Sequence, residues 1–229
     1  MRYITLTNDG YIDYTQNLLI SAENVDIKDI EVFCVGKKSY NYFNKQGVTS
    51  HLISNSLFSG TLKFQEWRTK NFNKLMYKKL SIIYESLINS DKVLYIDGDI
   101  VFLKNIFKEL NEYPIKDLVG QWDYNPTTKA NTLCAGFMIV NNTENSRNLF
   151  NPSFVPKKLL DSKFHFDDQK YINQNIKKVD YEFLDINKYP NGAYYYENFE
   201  KLDPSIIHFN YLIGEEKKLK MKEYGYWYL

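Results

Sequence analysis

The apolar run RYITLT at residues 2–7 is short, rich in β-branched side chains and closed by NDG, which predicts a strand that ends in a turn. YIDYTQNLLISAE then predicts a helix, DIEVFCVG (29–36) a second strand, and a short helix leads to a third extended piece, VTSHLIS (48–54). The opening is therefore β-α-β-α-β. Between Asn71 and Asn89, apolar Met76, Leu80, Ile83 and Leu87 recur at spacings of four, three and four, the stripe of a helix laid on a sheet. The strand KVLYID follows at once, and its near-continuous apolar character suits a central parallel strand covered on both faces.

Beyond this point the pattern loosens. KDLVGQWDY (116–124) and TLCAGFMIVNN (132–142) predict strands, DDQKYINQNI (167–176) a short helix, and YEFLD and SIIHFNYL further strands. The chain ends in a charged helix-like stretch with an aromatic tail, GEEKKLKMKEYGYWYL. With no internal repeat and no low-complexity linker between the halves, the predicted architecture is a single α/β domain over residues 1–229. Its sheet is mixed and mostly parallel, with helices on both faces.

Composition narrows the function more than the fold. A chain of 229 residues with 44% hydrophobic content can bury a substantial core. Its 29 Lys and Arg against 28 Asp and Glu leave a formal charge of +1, too balanced for a protein held on nucleic acid phosphates. Cys34 and Cys134 form neither a metal-type pair nor a disulfide framework and are expected as buried thiols. MRYITLTNDG lacks the apolar core of a signal peptide and no apolar run reaches membrane-spanning length, so a soluble, cytoplasmic protein is expected. On that expectation the Asn-Asn-Thr sequon at Asn141 is an incidental match.

The chemistry concentrates in DKVLYIDGDIVFLKN (91–105), where Asp97 and Asp99 close an apolar strand with only Gly98 between them. Most Asp-x-Asp pairs lie on solvated loops. Here VLYI precedes and IVFL follows, and unpaired charge in such a segment is costly unless a cation or strong donors compensate it. Hard oxygen ligands favour Mg²⁺ or Mn²⁺, whose shells are commonly completed by phosphate oxygens and water. Gly98 lets a phosphate or ribose approach the backbone closely. Two enzymatic readings follow: a phosphatase of the haloacid-dehalogenase kind with Asp97 as nucleophile, or a site where the pair holds a metal on a sugar diphosphate. The position of the pair behind a complete β-α-β-α-β unit resembles the GT-A glycosyltransferase fold.

TLTNDGYIDYTQNLLIS, LMYKKLSIIYESLINSDKVLYIDGDIVFLKN, CAGFMIVNN, DDQKYIN, FLDINKYPNG and HFNYLIGEEKK extend that likeness over nearly the whole chain. In this order they resemble the nucleotide-diphospho-sugar transferases that group with glycosyltransferase family 77 and, more distantly, family 8. Ala135 departs from the pattern, standing where a second glycine often precedes Gly136. The resemblance implies a nucleotide-binding half (1–104) ending in Asp-x-Asp and an acceptor half (105–229) with a carboxyl-terminal metal- and phosphate-binding segment. It implies metal ligation by Asp97, Asp99 and His208, with the imidazole suiting Mn²⁺. Thr7 and Asn8 match a base- and ribose-contacting stretch, Lys79 a nucleotide- or diphosphate-contacting lysine, and Gly136 a close approach of sugar to backbone. Gly214 and Lys218 match a close-approach glycine and a phosphate-binding lysine, with Lys217 the rival for that role. Asp168 and Gln169 match sugar- and acceptor-facing residues. Each has a plainer reading: a helix cap for Asn8, a solvated helix face for Lys79, a core position for His208, a helix N-terminus for Asp168, with Asp167 able to take the cap.

The activity implied is metal-dependent transfer of a sugar from a nucleotide diphosphate, UDP favoured, to a saccharide or other hydroxyl acceptor, with retention of anomeric configuration. The phosphatase and a non-catalytic nucleotide- or saccharide-binding protein stand as alternatives. Lys217, Lys218, Lys220 and Lys222, followed by Tyr226, Trp227 and Tyr228, lead to a further expectation, that the segment from Gly214 closes over the donor and is ordered by it, with a permanently docked terminal helix whose aromatic end packs on the core as the alternative.

Overall fold

In the computed structural model, which describes residues 1–53, 61–65, 69–113, 115–128, 131–156 and 167–229, β1 (Arg2–Asn8), β2 (Ile30–Val35) and β3 (Ser50–Leu52) run parallel. Ser54, the end of the third extended piece read from the sequence, lies outside these residues. α1 (Ile12–Glu23) and α2 (Lys37–Lys45) make the two crossovers. The chain then returns through α3 (Lys70–Ile88) to β4 (Lys92–Ile96), which pairs in parallel with the other side of β1. Strand order β3-β2-β1-β4 thus changes direction between β1 and β4. Ligands of open α/β sheets bind in the crevice beyond the carboxyl ends of strands at such a switch.

β4 carries the alternation expected of a doubly covered strand. Val93 and Tyr95 pack in the cluster that holds Leu80, Ile83 and Leu87 of α3, while Leu94 and Ile96 pack with Leu18 and Ala22 of α1 on the other face. Burying each such Leu or Ile contributes about 1.5–3 kcal/mol, which holds the strand end, and Asp97 after it, in place. The sheet continues through β7 (Leu133–Asn141), antiparallel to both β4 and β6 (Leu118–Trp122), to β8 (Tyr181–Phe183), which runs parallel to β6. Between Gly120 and Gln121 the register slips, so the partner on β7 jumps from Met138 to Cys134. Ala135 and Gly136 are thereby released from β6, and the Gly136 carbonyl accepts the Asp97 N–H at 2.7 Å.

A second, two-stranded sheet decides the position of the histidine. β5 (Ile100–Phe102) pairs antiparallel with β9 (Ile206–His208), setting His208 opposite Ile100. The strand predicted through 205–212 stops at His208, because the backbone turns at Tyr211 (φ 66°) and Gly214 (φ 55°) and carries the following residues across the crevice. α6 (Asp168–Asn175) matches its prediction, and Asp167 caps it by accepting the Lys170 N–H at 2.9 Å. α4 (Phe107–Asn111), α5 (Glu144–Phe150) and α7 (Gly192–Asn198) were not expected; α7, GAYYYEN, has no 3.6-residue stripe to announce it.

α8 (Glu215–Glu223) and the tail lie along α1. The Tyr14 hydroxyl donates to the Gly214 carbonyl at 2.7 Å, Asn17 Nδ2 to the Tyr226 carbonyl at 2.9 Å, and the Tyr228 N–H to Asn17 Oδ1 at 2.7 Å. Trp227 meets Tyr14 edge-on at 5.3 Å. Tyr226, Trp227 and Tyr228 therefore do not cover the crevice as the sequence suggested. An apolar cluster around Tyr14, Tyr195, Phe209 and Met221 takes Tyr226 and Trp227 instead. Cys34 and Cys134 are buried free thiols, and no described helix is long and apolar enough to cross a membrane.

Candidate active site

A cleft of about 540 Å³ opens at the β1/β4 switch and is bordered by Thr7, Asn8, Lys79, Asp97, Gly98, Asp99, Gly136, Asp168, Gln169, His208 and Gly214. Of the predicted site residues, only Lys218 is absent from its walls.

Asp97 and Asp99 take different partners at the strand end. Asp97 Oδ1 accepts from the Tyr95 hydroxyl at 2.9 Å and from Lys79 Nζ at 3.3 Å. Asp99, 5% exposed, faces His208, whose Nε2 stands 3.3 Å from Asp99 Oδ1 and 3.8 Å from Asp97 Oδ2. One ligand atom from each of these three residues falls within 4.8 Å of the others, a spacing that could hold a metal ion. Burial works against an Asp99 carboxylate, but Lys217 and His208 hold its pKa well below the usual range. Burial likewise opposes an imidazolium at His208, and the Asp99 charge overrides it, lifting the pKa to about 10.

Lys79 is 2% exposed, which rules out the solvated helix face. Its ammonium bridges two carboxylates, Asp97 at 3.3 Å and Asp168 Oδ2 at 2.8 Å, and sits 4.5 Å above the Tyr95 ring. The Asp168 contact is an ion pair without a directed hydrogen bond to Oδ2. Burial raises Asp168 to about 6 even against Lys79. Gln169 is held at both ends of its amide: Oε1 accepts the Ala135 N–H at 3.2 Å and Nε2 donates to Asp123 Oδ2 at 2.8 Å.

The three glycines line the cleft in different surroundings. A Cβ on Gly136 would lie 2.2 Å from His208 Cε1 and 2.6 Å from Asp97 Oδ2, so any side chain here would collide with two candidate metal ligands. Gly98 faces Thr15 and Tyr11, with an added Cβ at 3.0 Å and 3.1 Å from them. Gly214 has open space around it and a positive φ, which is its reason for being glycine.

Asn8 does not cap α1, whose N-cap is Tyr11. Its Nδ2 donates to the carbonyls of Thr61 at 2.7 Å and Lys63 at 2.8 Å, which ties the 61–65 segment to the rim of the cleft. Thr7 Oγ1 accepts from Thr15 Oγ1 at 2.8 Å. The carboxyl-terminal lysines are placed the opposite way from the expectation. Lys217 lines the cleft and is ion-paired with Asp99, whereas Lys218 reaches back to Asp13 at 3.9 Å and lies 4.8 Å over Trp227. Adjacent residues on a helix differ by about 100°, so the docking of α8 on α1 admits only one of them.

Two groups went unread. Asp123, at the end of β6, accepts from Asn191 at 3.2 Å and Tyr211 at 3.1 Å besides Gln169, and burial raises its pKa. Its signal was available, since an acid closing LVGQW repeats the logic that singled out Asp97. Gln121 reaches His208 Nδ1 at 2.8 Å across 87 positions of sequence, and nothing local foretells that.

A family model described as nucleotide-diphospho-sugar transferase matches residues 27–221. No curated protein matches the chain. Galactosyltransferase LgtC, solved with donor and acceptor sugar analogues, superposes with a TM-score of 0.62 at 14% identity over 91% of this chain and 86% of that one. The apo form of the glycosyltransferase GlyE from Streptococcus pneumoniae TIGR4 gives 0.63 at 16% identity over 100% of this chain, which spans 60% of GlyE. Apo mouse xyloside xylosyltransferase 1 gives 0.57 at 11% identity over 93% and 99%. At these identities the likeness is one of fold, and that fold is GT-A.

Proposed function

The chain belongs to the nucleotide-diphospho-sugar transferase family and is a glycosyltransferase, and from that premise we propose that its cleft takes a nucleotide diphosphate sugar with a divalent cation and passes the sugar to a hydroxyl acceptor with retention of configuration. The observation that carries this reading is the convergence of Asp97, Asp99 and His208 within 4.8 Å at the end of β4. Two carboxylates and an imidazole fit Mn²⁺ or Mg²⁺, and the nitrogen favours Mn²⁺. When bound, such an ion opposes the charge that builds on the diphosphate as the glycosidic bond breaks.

The chain's own residues supply the rest. Lys217, beside Asp99, is the second cation for the diphosphate, in the role the sequence assigned to Lys218. Lys79 fixes the orientation of Asp97 and Asp168 through its two ion pairs. Asp168, with Gln169 clamped beside it, is positioned to stabilise the oxocarbenium-like centre while the acceptor attacks from the leaving-group face. Tyr11, stacked on Tyr14 at 4.5 Å, offers an aromatic wall for the base, consistent with a UDP-sugar. In this reading residues 1–104 bind the nucleotide, and 105–229 hold the acceptor beside Asp123 and Tyr211 while their carboxyl-terminal segment brings His208 and Lys217 to the metal and diphosphate.

The test is nucleoside diphosphate release from a panel of nucleotide sugars with Mn²⁺, followed by anomeric assignment of the product by NMR. Excess chelator is expected to stop turnover, and Mn²⁺ to restore it at least as well as Mg²⁺. Full turnover in chelator overturns the metal; an inverted product overturns retention.

A further inference from the structure

Resting on the metal reading above, we infer that Gln121 is a positioning residue that selects the ring face and tautomer with which His208 meets the metal. Gln121 is fully buried on β6, at the point where the register with β7 slips. Its amide has no freedom to turn over. Nε2 donates to two backbone carbonyls, Tyr189 at 3.1 Å and Pro190 at 2.8 Å. A flip would set Oε1 against both carbonyls and lose both bonds in a site that water does not reach.

With the amide so held, Oε1 faces His208 Nδ1 at 2.8 Å. An amide oxygen can only accept, so Nδ1 must carry a hydrogen. Cys134 Sγ, 3.6 Å from the same nitrogen, is a second, weaker partner on that side. Nε2 is left as the nitrogen directed at Asp97 and Asp99. The ring is also fixed along the chain, since the His208 N–H donates to the Pro190 carbonyl at 3.4 Å. Pro190 thus anchors both the backbone of His208 and the amide that orients its side chain. Such outer-shell partners raise ligand affinity by removing wrong tautomers and wrong rotations before the metal arrives.

The experiment compares Mn²⁺ affinity, followed by electron paramagnetic resonance of free Mn²⁺ during titration, in the wild type, Gln121→Leu, Gln121→Met and Gln121→Glu. The first two variants are expected to bind Mn²⁺ about ten- to a hundred-fold more weakly, with an altered visible spectrum when Co²⁺ is used as the probe. Gln121→Glu keeps an acceptor on Nδ1 but turns an oxygen toward the Tyr189 and Pro190 carbonyls, so it is expected to bind Mn²⁺ no more tightly than the wild type yet more tightly than Gln121→Leu. Unchanged affinity and Co²⁺ spectrum in Gln121→Leu and Gln121→Met overturn the role of Gln121 and leave the metal site standing. A wild type that binds no Mn²⁺ overturns the metal site, and this inference with it. Should the variants fail to fold, the wild type alone decides: nitrogen-15 NMR of the protein loaded with diamagnetic Zn²⁺ is expected to show His208 protonated at Nδ1, and protonation at Nε2 overturns the inference.

Discussion

The Lys217 ammonium is paired with the Asp99 carboxylate inside the cleft, so the one lysine of the carboxyl-terminal run that lines the cleft is tied to a candidate metal ligand. Its neighbour Lys218 leans away, toward Asp13 and Trp227. Charge reversal should separate the two. Charge-assisted hydrogen bonds contribute about 1.5–3 kcal/mol, so Lys217→Glu is expected to weaken nucleoside diphosphate binding more than about ten-fold. Lys218→Glu loses a long contact to an exposed partner and should change it less than about two-fold. Calorimetric titration with each variant checks this, and equal losses would contradict the placement.

Gly136→Ala should damage the site through the space it takes. The added methyl would stand 2.2 Å from the His208 ring and 2.6 Å from Asp97, so one or both must shift. Overpacking of this kind costs about 1–3 kcal/mol, read as a lower urea midpoint, and Mn²⁺ affinity should fall with it. A variant with undiminished Mn²⁺ affinity would show that the two side chains have room.

Lys79 and Asp168 should be strongly coupled in stability. Lys79→Met leaves Asp168 buried without its countercharge, a change expected to cost about 3–5 kcal/mol. Because burial already lifts Asp168 to about 6, loss of the lysine raises it further and the variant is expected to take up a proton near neutral pH. Adding Asp168→Asn removes the stranded charge, so the double variant should be more stable than Lys79→Met alone. Additive losses in a urea double-mutant cycle would deny the coupling.

Asp117 links stability to pH away from the cleft. Burial disfavours its carboxylate, but Thr143 Oγ1 at 2.5 Å, the Asp180 N–H at 2.8 Å and Asn145 Nδ2 at 3.0 Å more than offset that, and its pKa is lowered. A carboxyl lowered in the fold stabilises above its unfolded pKa, about 3.9, and that contribution disappears as pH falls through the folded value. The stability gap between wild type and Asp117→Asn should therefore be full at neutral pH and close below about pH 4. A gap that does not change between pH 7 and 3 would remove Asp117 from the acid limb.

Periodicity and adjacency by themselves determined the order β1-α1-β2-α2-β3-α3-β4 and the seat of Asp97 and Asp99 at a strand end, because amphipathic stripes and strand-ending acids are properties of contiguous residues. The same locality explains Asp167 as the cap of α6, with Asp168 turned inward. Only the tertiary structure decided between Lys217 and Lys218, since neighbouring helix residues differ by a rotation whose meaning depends on how α8 docks. It alone brought Gly136 against His208 and Asp97, and it seated the aromatic tail on α1 where the charge pattern had suggested a lid. Gln121 and His208 meet across two sheets and 87 residues. Such a contact is set by strand order and a register slip, which leave no trace in the residues on either side.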